Sequence, residues 1–68
     1  MRVFDVVHVE HPNDAGFYAI VTSMGVENFV GRACVLSLDD KRHRNVLQDW
    51  CRVVPQKLVI SNGDWHLE

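Results

Sequence analysis

Imidazole and carboxylate side chains cluster in one short stretch of the sequence, at His8, Glu10, His11 and Asp14. These groups are ligands for zinc and similar cations. On a strand, however, His8 and His11 face opposite ways, so the chain would have to bend before both could bind one ion. A structural zinc site takes four ligands, and no spacing motif links this stretch to the cysteines. We expect no metal or other cofactor, and His8 and His11 are the candidates should a metal bind.

Cys34 and Cys51 are the candidate nucleophiles, with a histidine as the base. Neither cysteine lies at a predicted loop tip or helix N-terminus, and both share an apolar phase with their neighbours. We therefore expect two reduced thiols packed in the core. The sequence also has no glycine-rich phosphate loop, serine elbow or paired-carboxylate pattern. These observations predict that the protein is not an enzyme.

Basic side chains are concentrated in the segment DDKRHRN, residues 39–45. Lys41, Arg42 and Arg44, together with Arg52, are able to neutralise phosphates while Trp50 stacks on a base. Aspartates in and after the same segment cancel much of this charge, which is typical of a solvated turn. The net charge of −2 and the pI of about 6.0 also argue against a protein that coats DNA. Nucleic-acid binding through these five residues is the alternative prediction, and a solvated turn is the simpler one.

A chain of this length has little room to bury all of its aromatic side chains. Those that stay at the surface are natural anchors for a protein partner, because Trp, Tyr and Arg dominate the binding energy of many interfaces. Tyr18 and Trp50 are the aromatic candidates for such a surface. Exposed strand edges offer a second way to bind, by adding a strand from a partner or from a second copy in a homodimer. The sequence therefore predicts another protein as the partner.

Runs rich in β-branched and aromatic residues predict strands near residues 3–9, 17–24, 29–38 and 58–61. Between the first two strands lies EHPNDAG, in which proline, asparagine, aspartate and glycine each favour a turn. Short links between three consecutive strands predict an antiparallel meander. In the third strand, Val30, Cys34, Leu36 and Leu38 share one apolar phase, which is the expected core face.

Residues 42–53 fit two different structures. Their apolar residues fall within one arc of a helical wheel, with Asp39 or Asp40 as the N-cap and Pro55 as the terminator. The valines, the tryptophan and the cysteine of this segment are modest helix formers, which argues for a strand instead. An amphipathic helix is the first prediction for 42–53 and a fourth strand is the alternative. The fold class is accordingly mainly β, or α+β if the helix forms.

Three stretches resemble SH3-like small β-barrels, the broad group that includes KOW and Tudor modules. DVVHV followed by a polar loop and FYAIV is similar to the opening strand pair of such barrels. VVPQKLVI, residues 53–60, is similar to the stretch that leaves the fourth strand through a 3₁₀ turn. The resemblance implies a curled antiparallel sheet in which DDKRHRN is the distal hairpin, 45–53 the fourth strand and 58–61 the fifth. Trp50 stands alone where peptide-binding SH3 domains carry paired tryptophans, so recognition of proline-rich peptides is not implied.

Length and composition set the remaining bounds. The chain has 68 residues, 47% hydrophobic and 24% charged, which predicts one small folded domain over residues 1–66. Leu67 and Glu68 resemble a vector-derived tail and are left out of the fold prediction. No apolar run approaches the roughly 20 residues that span a bilayer, and the N-terminus does not read as a signal peptide, so we expect a soluble, cytoplasmic protein. We expect a non-enzymatic module that binds and modulates a partner protein, inhibiting or regulating it, as short phage-encoded proteins do.

Overall fold

The computed structural model describes residues 1–13, 15–25 and 31–68. Their strands are β1 (Val6–Val9), β2 (Phe17–Met24), β3 (Arg32–Ser37), β4 (His43–Leu47), β5 (Cys51–Val53), β6 (Leu58–Ser61) and β7 (Asp64–Leu67). A 3₁₀ turn, Gln48–Trp50, separates β4 from β5. The fold is mainly β with antiparallel sheets, as predicted, and the described ranges contain no α-helix.

Five of the strands form one antiparallel sheet in the order β4-β3-β2-β1-β5. The first four strands follow one another as a meander. The 3₁₀ turn then carries the chain back to the free edge of β1, where Cys51 lies opposite Val9 and Val53 opposite Val7. Strands β4 and β5 remain as the two edges, so the sheet is not closed into a barrel.

The core covers one face of this sheet and consists of small aliphatic side chains. Its buried residues are Val7, Val9, Ala19, Val21, Ala33, Val35 and Val46. They alternate along the strands, because the pleat turns every second side chain to the same face. Partly buried side chains pack around this cluster, namely Phe17, Met24, Trp50 and Cys51. The strands therefore place one aromatic ring from β2 and one from the 3₁₀ turn at the margin of the core.

The core face of β3 is the reverse of the predicted one. Its buried residues are Ala33, Val35 and Ser37. The pairing with β2 decides this, since Val35 lies opposite the buried Val21. Cys34 is half-buried on the other face, so the prediction that it packs in the core is wrong. Cys51, by contrast, does pack against the core cluster.

The predicted helix over 42–53 does not form, and the strand alternative is confirmed for His43–Leu47. Strand β4 pairs along β3, with Val46 opposite Ala33, and this brings Val46 into the core. The 3₁₀ turn then places Trp50 against the core as well. Val46 is thus buried and Trp50 partly buried without a helix, and the β-branched residues keep the extended conformation that they favour. The strand that follows the 3₁₀ turn is Cys51–Val53, earlier in the chain than the resemblance implied.

The other strands agree with the predictions to different degrees. Strand β2 and strand β6 have the predicted bounds. Strand β1 starts later than predicted because a turn over residues 2–5 precedes it, closed by a 3.1 Å hydrogen bond from the Asp5 N–H to the Arg2 carbonyl. Strand β3 begins at Arg32, and the predicted strand residues 29–30 lie outside the described residues.

Strands β6 and β7 form a separate two-stranded antiparallel sheet. Asn62 and Gly63 connect them with φ values of 53° and 82°, as a two-residue type I′ turn requires. Leu67 belongs to β7, and Glu68 exchanges two backbone hydrogen bonds of 2.9 Å with Lys57. The last two residues are therefore part of the hairpin. None of the helical segments in the described ranges has the length and apolar character needed to cross a membrane.

Candidate functional site

A groove of about 440 Å³ is lined by residues of the β1–β2 loop and of the β3–β4 turn. Its lining residues are Ala15, Gly16, Phe17, Ser37, Asp39, Asp40 and Arg44. The turn is closed by two hydrogen bonds of 2.9 Å, from the Ser37 N–H to the Arg42 carbonyl and from the Lys41 N–H to the Ser37 carbonyl. A third bond of 3.0 Å, from the Leu38 N–H to the Tyr18 carbonyl, ties the turn to β2. Backbone hydrogen bonds thus fix the turn next to the start of β2.

Arg44 lies against the aromatic wall of the groove. Its Cζ atom is 5.2 Å from the centroid of the Phe17 ring, within the range of a cation–π interaction. Its Nη2 atom donates a 2.9 Å hydrogen bond to Oδ2 of Asp40. Asp40 also accepts a 3.1 Å hydrogen bond from the Arg42 backbone N–H. Arg44 is thereby held between a ring and a carboxylate, and Asp40 is fixed from two sides.

These contacts lower the pKa of the Asp40 carboxyl group. The hydrogen bond from Arg44 lowers the pKa of Asp40 most, and smaller contributions from the Arg42 N–H and the Ser37 hydroxyl act in the same direction. Desolvation opposes them but does not reverse the shift. Asp40 is therefore ionised at neutral pH, and its charge is matched by Arg44.

Asp39 stands at the exposed rim of the same groove. No ion pair joins its carboxylate to the residues that the structure describes. Arg44 and Asp40 neutralise each other, so Asp39 leaves this groove with a net negative charge among its described lining residues. The groove can therefore offer an incoming group one free carboxylate and one aromatic wall.

Trp50 and Arg52 lie beside the end of β1. The Trp50 ring meets the His11 ring edge-on, with the ring centroids 4.4 Å apart. The Glu10 N–H donates a 2.8 Å hydrogen bond to the Trp50 carbonyl. Glu10 Oε1 also lies 3.9 Å from Nη2 of Arg52, an exposed pair. Trp50 thus packs against both the core and His11 of the β1–β2 loop, while Arg52 forms an exposed ion pair with Glu10.

The two histidines proposed as weak metal ligands point to different neighbours. His8 packs edge-on against Tyr18 with ring centroids 4.8 Å apart, and its Nδ1 atom lies 3.4 Å from Oε1 of Glu10. His11 instead accepts a 3.1 Å hydrogen bond at Nδ1 from the Asn13 N–H. In the ranges that the structure describes, no three His, Cys, Asp or Glu side chains are placed to hold a metal ion. Asp14, which completed the proposed cluster, lies outside those ranges.

The predicted partner-binding residues lie in more than one place, although Tyr18 and Arg52 lie on either side of His8 across β1. Arg44 lines the groove, Trp50 and Arg52 lie at the end of β1, and Tyr18 packs on His8. The Lys41 ammonium group lies 5.3 Å from the centroid of the Trp65 ring, which places it against the β6–β7 hairpin. Arg42 is exposed beside the β3–β4 turn.

Phe17 and Asp40 line the groove but were not among the binding residues predicted from the sequence. They are far apart along the chain, and only the register of β2 with β3 and of β3 with β4 brings them to the same groove. One signal was present in the sequence, because Phe17 directly follows a turn-rich loop and begins a strand. An aromatic side chain at the start of this strand lies at the margin of the core rather than at its centre.

No family model matches the sequence, and neither the search of curated proteins nor the search of solved structures finds a similar protein. What the groove binds is therefore inferred from the chemistry of its side chains.

Proposed function

We propose that this protein is a small non-enzymatic interaction module that binds another protein and modulates it. The observation that carries the proposal is the groove of about 440 Å³ with its Phe17 wall and with Asp39, which forms no ion pair within the described residues. Its described lining contains charged and aromatic groups but no histidine or cysteine that would act as a base or nucleophile. Such a lining is suited to binding a partner rather than to catalysing a reaction.

The order of the strands supports an SH3-like form for this module. The meander β1 to β4, the 3₁₀ turn after β4 and the return of β5 to the edge of β1 are the connections that such a sheet uses. In this interpretation the groove lies between the first loop and the distal hairpin. The DDKRHRN segment, residues 39–45, then supplies the groove with Asp39, Asp40 and Arg44 rather than a purely basic surface.

The charges of the groove indicate what the partner presents. A free carboxylate next to an aromatic wall suits a Lys or Arg side chain, whose apolar stem packs on the ring while its charge meets Asp39. Arg44 already shows this arrangement inside the molecule, with Phe17 under its guanidinium and Asp40 as its counter-ion. We infer that the partner binds through an exposed segment that carries a basic residue.

Affinity capture with matched variants tests this proposal. The tagged protein, Asp39→Asn and Asp64→Asn are compared in lysate of the source cells, with and without nuclease. Asp64 is an exposed carboxylate beside the hairpin turn and so controls for the loss of charge alone. We expect the unmodified chain and Asp64→Asn to capture one and the same protein. After this partner is purified, its affinity for Asp39→Asn should be roughly fivefold lower, which is a loss of about 1 kcal/mol in binding free energy.

Two results would contradict the proposal. Capture that is equal for Asp39→Asn and the unmodified chain would exclude the groove as the binding surface. Capture that disappears after nuclease treatment would favour the alternative function, nucleic-acid binding through Lys41, Arg42, Arg44, Arg52 and Trp50. In that case affinity for an oligonucleotide must fall steeply as salt rises, because each phosphate contact releases counterions.

A further inference from the structure

The outer face of β3 and β4, away from the core, brings a thiol and an imidazole together. Cys34 lies opposite Asn45, and His43 lies opposite Leu36, so Cys34 and His43 are diagonal neighbours on one face. The Cys34 Sγ atom is 3.9 Å from Nδ1 of His43. This is hydrogen-bonding distance for sulfur, and both side chains reach solvent.

A small cavity of about 110 Å³ opens beside the same thiol. Its lining residues are Ser23, Met24, Gly25, Arg32, Ala33, Cys34 and Asn45. Among these described residues, Arg32 is the only one that carries a full charge. Arg32 and Cys34 lie two positions apart on β3 and so share a face. The cavity therefore places a nucleophile next to one positive group.

The second cysteine of the chain has a different environment. Cys51 packs against the core cluster, and its Sγ donates to the Leu47 carbonyl at 3.6 Å. Burial raises the pKa of the Cys51 thiol, which keeps it protonated at neutral pH. Both thiols are thus half-buried but differ in their neighbours, since Cys51 packs against the core and Cys34 lies beside His43.

We propose that Cys34 is a thiol-exchange site that takes up small anionic disulfides, with His43 as its base and Arg32 as the group that attracts their carboxylates. The Cys34 thiol gives its proton to the neutral Nδ1 of His43, and the thiolate attacks one sulfur of the disulfide. That S–S bond breaks while a new one forms to Cys34. The other half leaves as a thiolate and takes the proton back from the imidazolium. Exchange of this kind proceeds through the thiolate, which a neighbouring base or positive charge makes available.

The surroundings of Cys34 do not oppose this chemistry. Among the described residues that contact the Cys34 thiol or line the cavity with it, the titratable or charged ones are His43 on β4 and Arg32 on β3. Strand β2 contributes Ser23, directly opposite Cys34, and the neutral Thr22 hydroxyl, which donates to the Cys34 carbonyl at 3.1 Å. No carboxylate of the described chain lines the cavity.

The test uses the folded protein and two disulfides of opposite charge, glutathione disulfide and cystamine. Modification of each cysteine is followed by intact mass and peptide mapping, so that Cys51 is an internal control. We expect glutathione disulfide to modify Cys34 at least about tenfold faster than Cys51. In denaturant the two rates should become similar, since both environments are then lost.

Two variants separate the parts of the proposal. His43→Gln should slow the modification of Cys34 several-fold at pH 7 and move the rise of its rate to higher pH. Arg32→Gln should slow the reaction with glutathione disulfide but not with cystamine. Arg42→Gln, which removes an exposed arginine outside the cavity, should change neither.

Equal rates for Cys34 and Cys51 in the folded protein would overturn the proposal. An unchanged rate and pH profile in His43→Gln would exclude His43 as the base. If Arg32→Gln changed the rates of reaction with glutathione disulfide and with cystamine equally, Arg32 would not give the site a preference for anionic disulfides. The circular dichroism spectrum of each variant, recorded alongside, shows that the sheet is retained.

Discussion

Phe4 is held in a backbone conformation that large side chains seldom adopt. Its φ is 75°, and it occupies the third position of the turn that Arg2 and Asp5 close. That position of a type II turn favours glycine, because a Cβ atom there is crowded by the backbone. Yet Phe4 is 76% exposed, so packing does not compensate for the strain. Phe4 is therefore an exposed aromatic side chain at a strained position.

Replacing Phe4 by glycine should make the protein more stable. Relief of the strain, worth about 1–2 kcal/mol, exceeds the entropic disadvantage of glycine, so we expect a net gain of about 0.5–1 kcal/mol in the free energy of unfolding. Urea denaturation followed by circular dichroism measures this. Val3→Gly is the matched control and should lose stability, because Val3 does not have a positive φ. A loss in Phe4→Gly as large as that in Val3→Gly would show that the turn is not strained.

Asp40 makes the stability of the β3–β4 turn dependent on pH. The hydrogen bond from Arg44 lowers the pKa of Asp40 in the folded protein below its value in the unfolded chain. A carboxyl group shifted in this direction stabilises the fold above its unfolded pKa, and the contribution is lost as the pH falls through the folded value. Asp40→Asn should therefore be less stable than the unmodified protein at pH 7, and the difference should shrink as the pH falls through the lowered pKa of Asp40.

Thermal unfolding over this range of pH checks the prediction. Asp64→Asn serves as the control, since Asp64 is exposed and belongs to the separate hairpin. A difference between Asp40→Asn and the unmodified protein that stays constant from neutral to acid pH would mean that the Asp40 charge does not stabilise the turn.

The β6–β7 hairpin is an element with its own local stability. In the described part of the chain its strands pair with each other and not with the five-stranded sheet. A two-stranded hairpin alone is marginally stable in water. The Lys41 ammonium over the Trp65 ring is one contact that links the hairpin to the sheet. We therefore expect the hairpin to open more readily than the sheet.

Gly63→Ala should weaken the hairpin and leave the sheet intact. Gly63 has a φ of 82°, and a Cβ atom there would meet nothing within 4 Å, so the penalty is conformational, about 1 kcal/mol. Amide hydrogen exchange should become faster in β6 and β7 and stay slow at Val21 and Val35. Gly63→Asn should show a smaller effect, because asparagine tolerates this conformation. Faster exchange across both sheets would contradict the local opening.

How far the sequence predicted these elements depends on how distinct each periodicity was. Strand β2 alternates clearly and was predicted with the right bounds, whereas both faces of β3 are apolar and its buried face was assigned wrongly. Residues 42–53 showed a helical period because a strand, a 3₁₀ turn and a second strand also bring Val46 and Trp50 to one side. The Asn62–Gly63 pair, which lies between LVIS and DWHL, was a hairpin signal from which β7 could have been predicted. The groove depends on strand register between distant residues, which no local pattern contains.

On the scale of the whole molecule, stability rests on a small core. The largest fully buried side chains in the described ranges are Val7, Val9, Val21 and Val35. A chain of this length buries only about 60% of the surface that it exposes when unfolded. Each buried methyl group is therefore a sizeable part of the free energy of unfolding. Among the described residues, the large aromatic rings stand at the margin of the core or outside it. The molecule therefore keeps its larger apolar side chains near the surface, where they can contact a partner, and depends on a layer of valines to stay folded.

Val7 and Val53 test this division, because they lie opposite each other in the pairing of β1 with β5. Val7 is 0% exposed, whereas Val53 is 50% exposed. Val7→Ala removes two buried methyl groups and leaves a cavity, so we expect a loss of about 2 kcal/mol in the free energy of unfolding. In a domain of this size that loss lowers the Tm by about 10 °C. Val53→Ala makes the same chemical change at the open edge of the sheet and should lose less than half as much. Calorimetry of the two variants measures the difference, and equal losses would mean that β5 is covered as fully as β1, with the sheet closed rather than open at that edge.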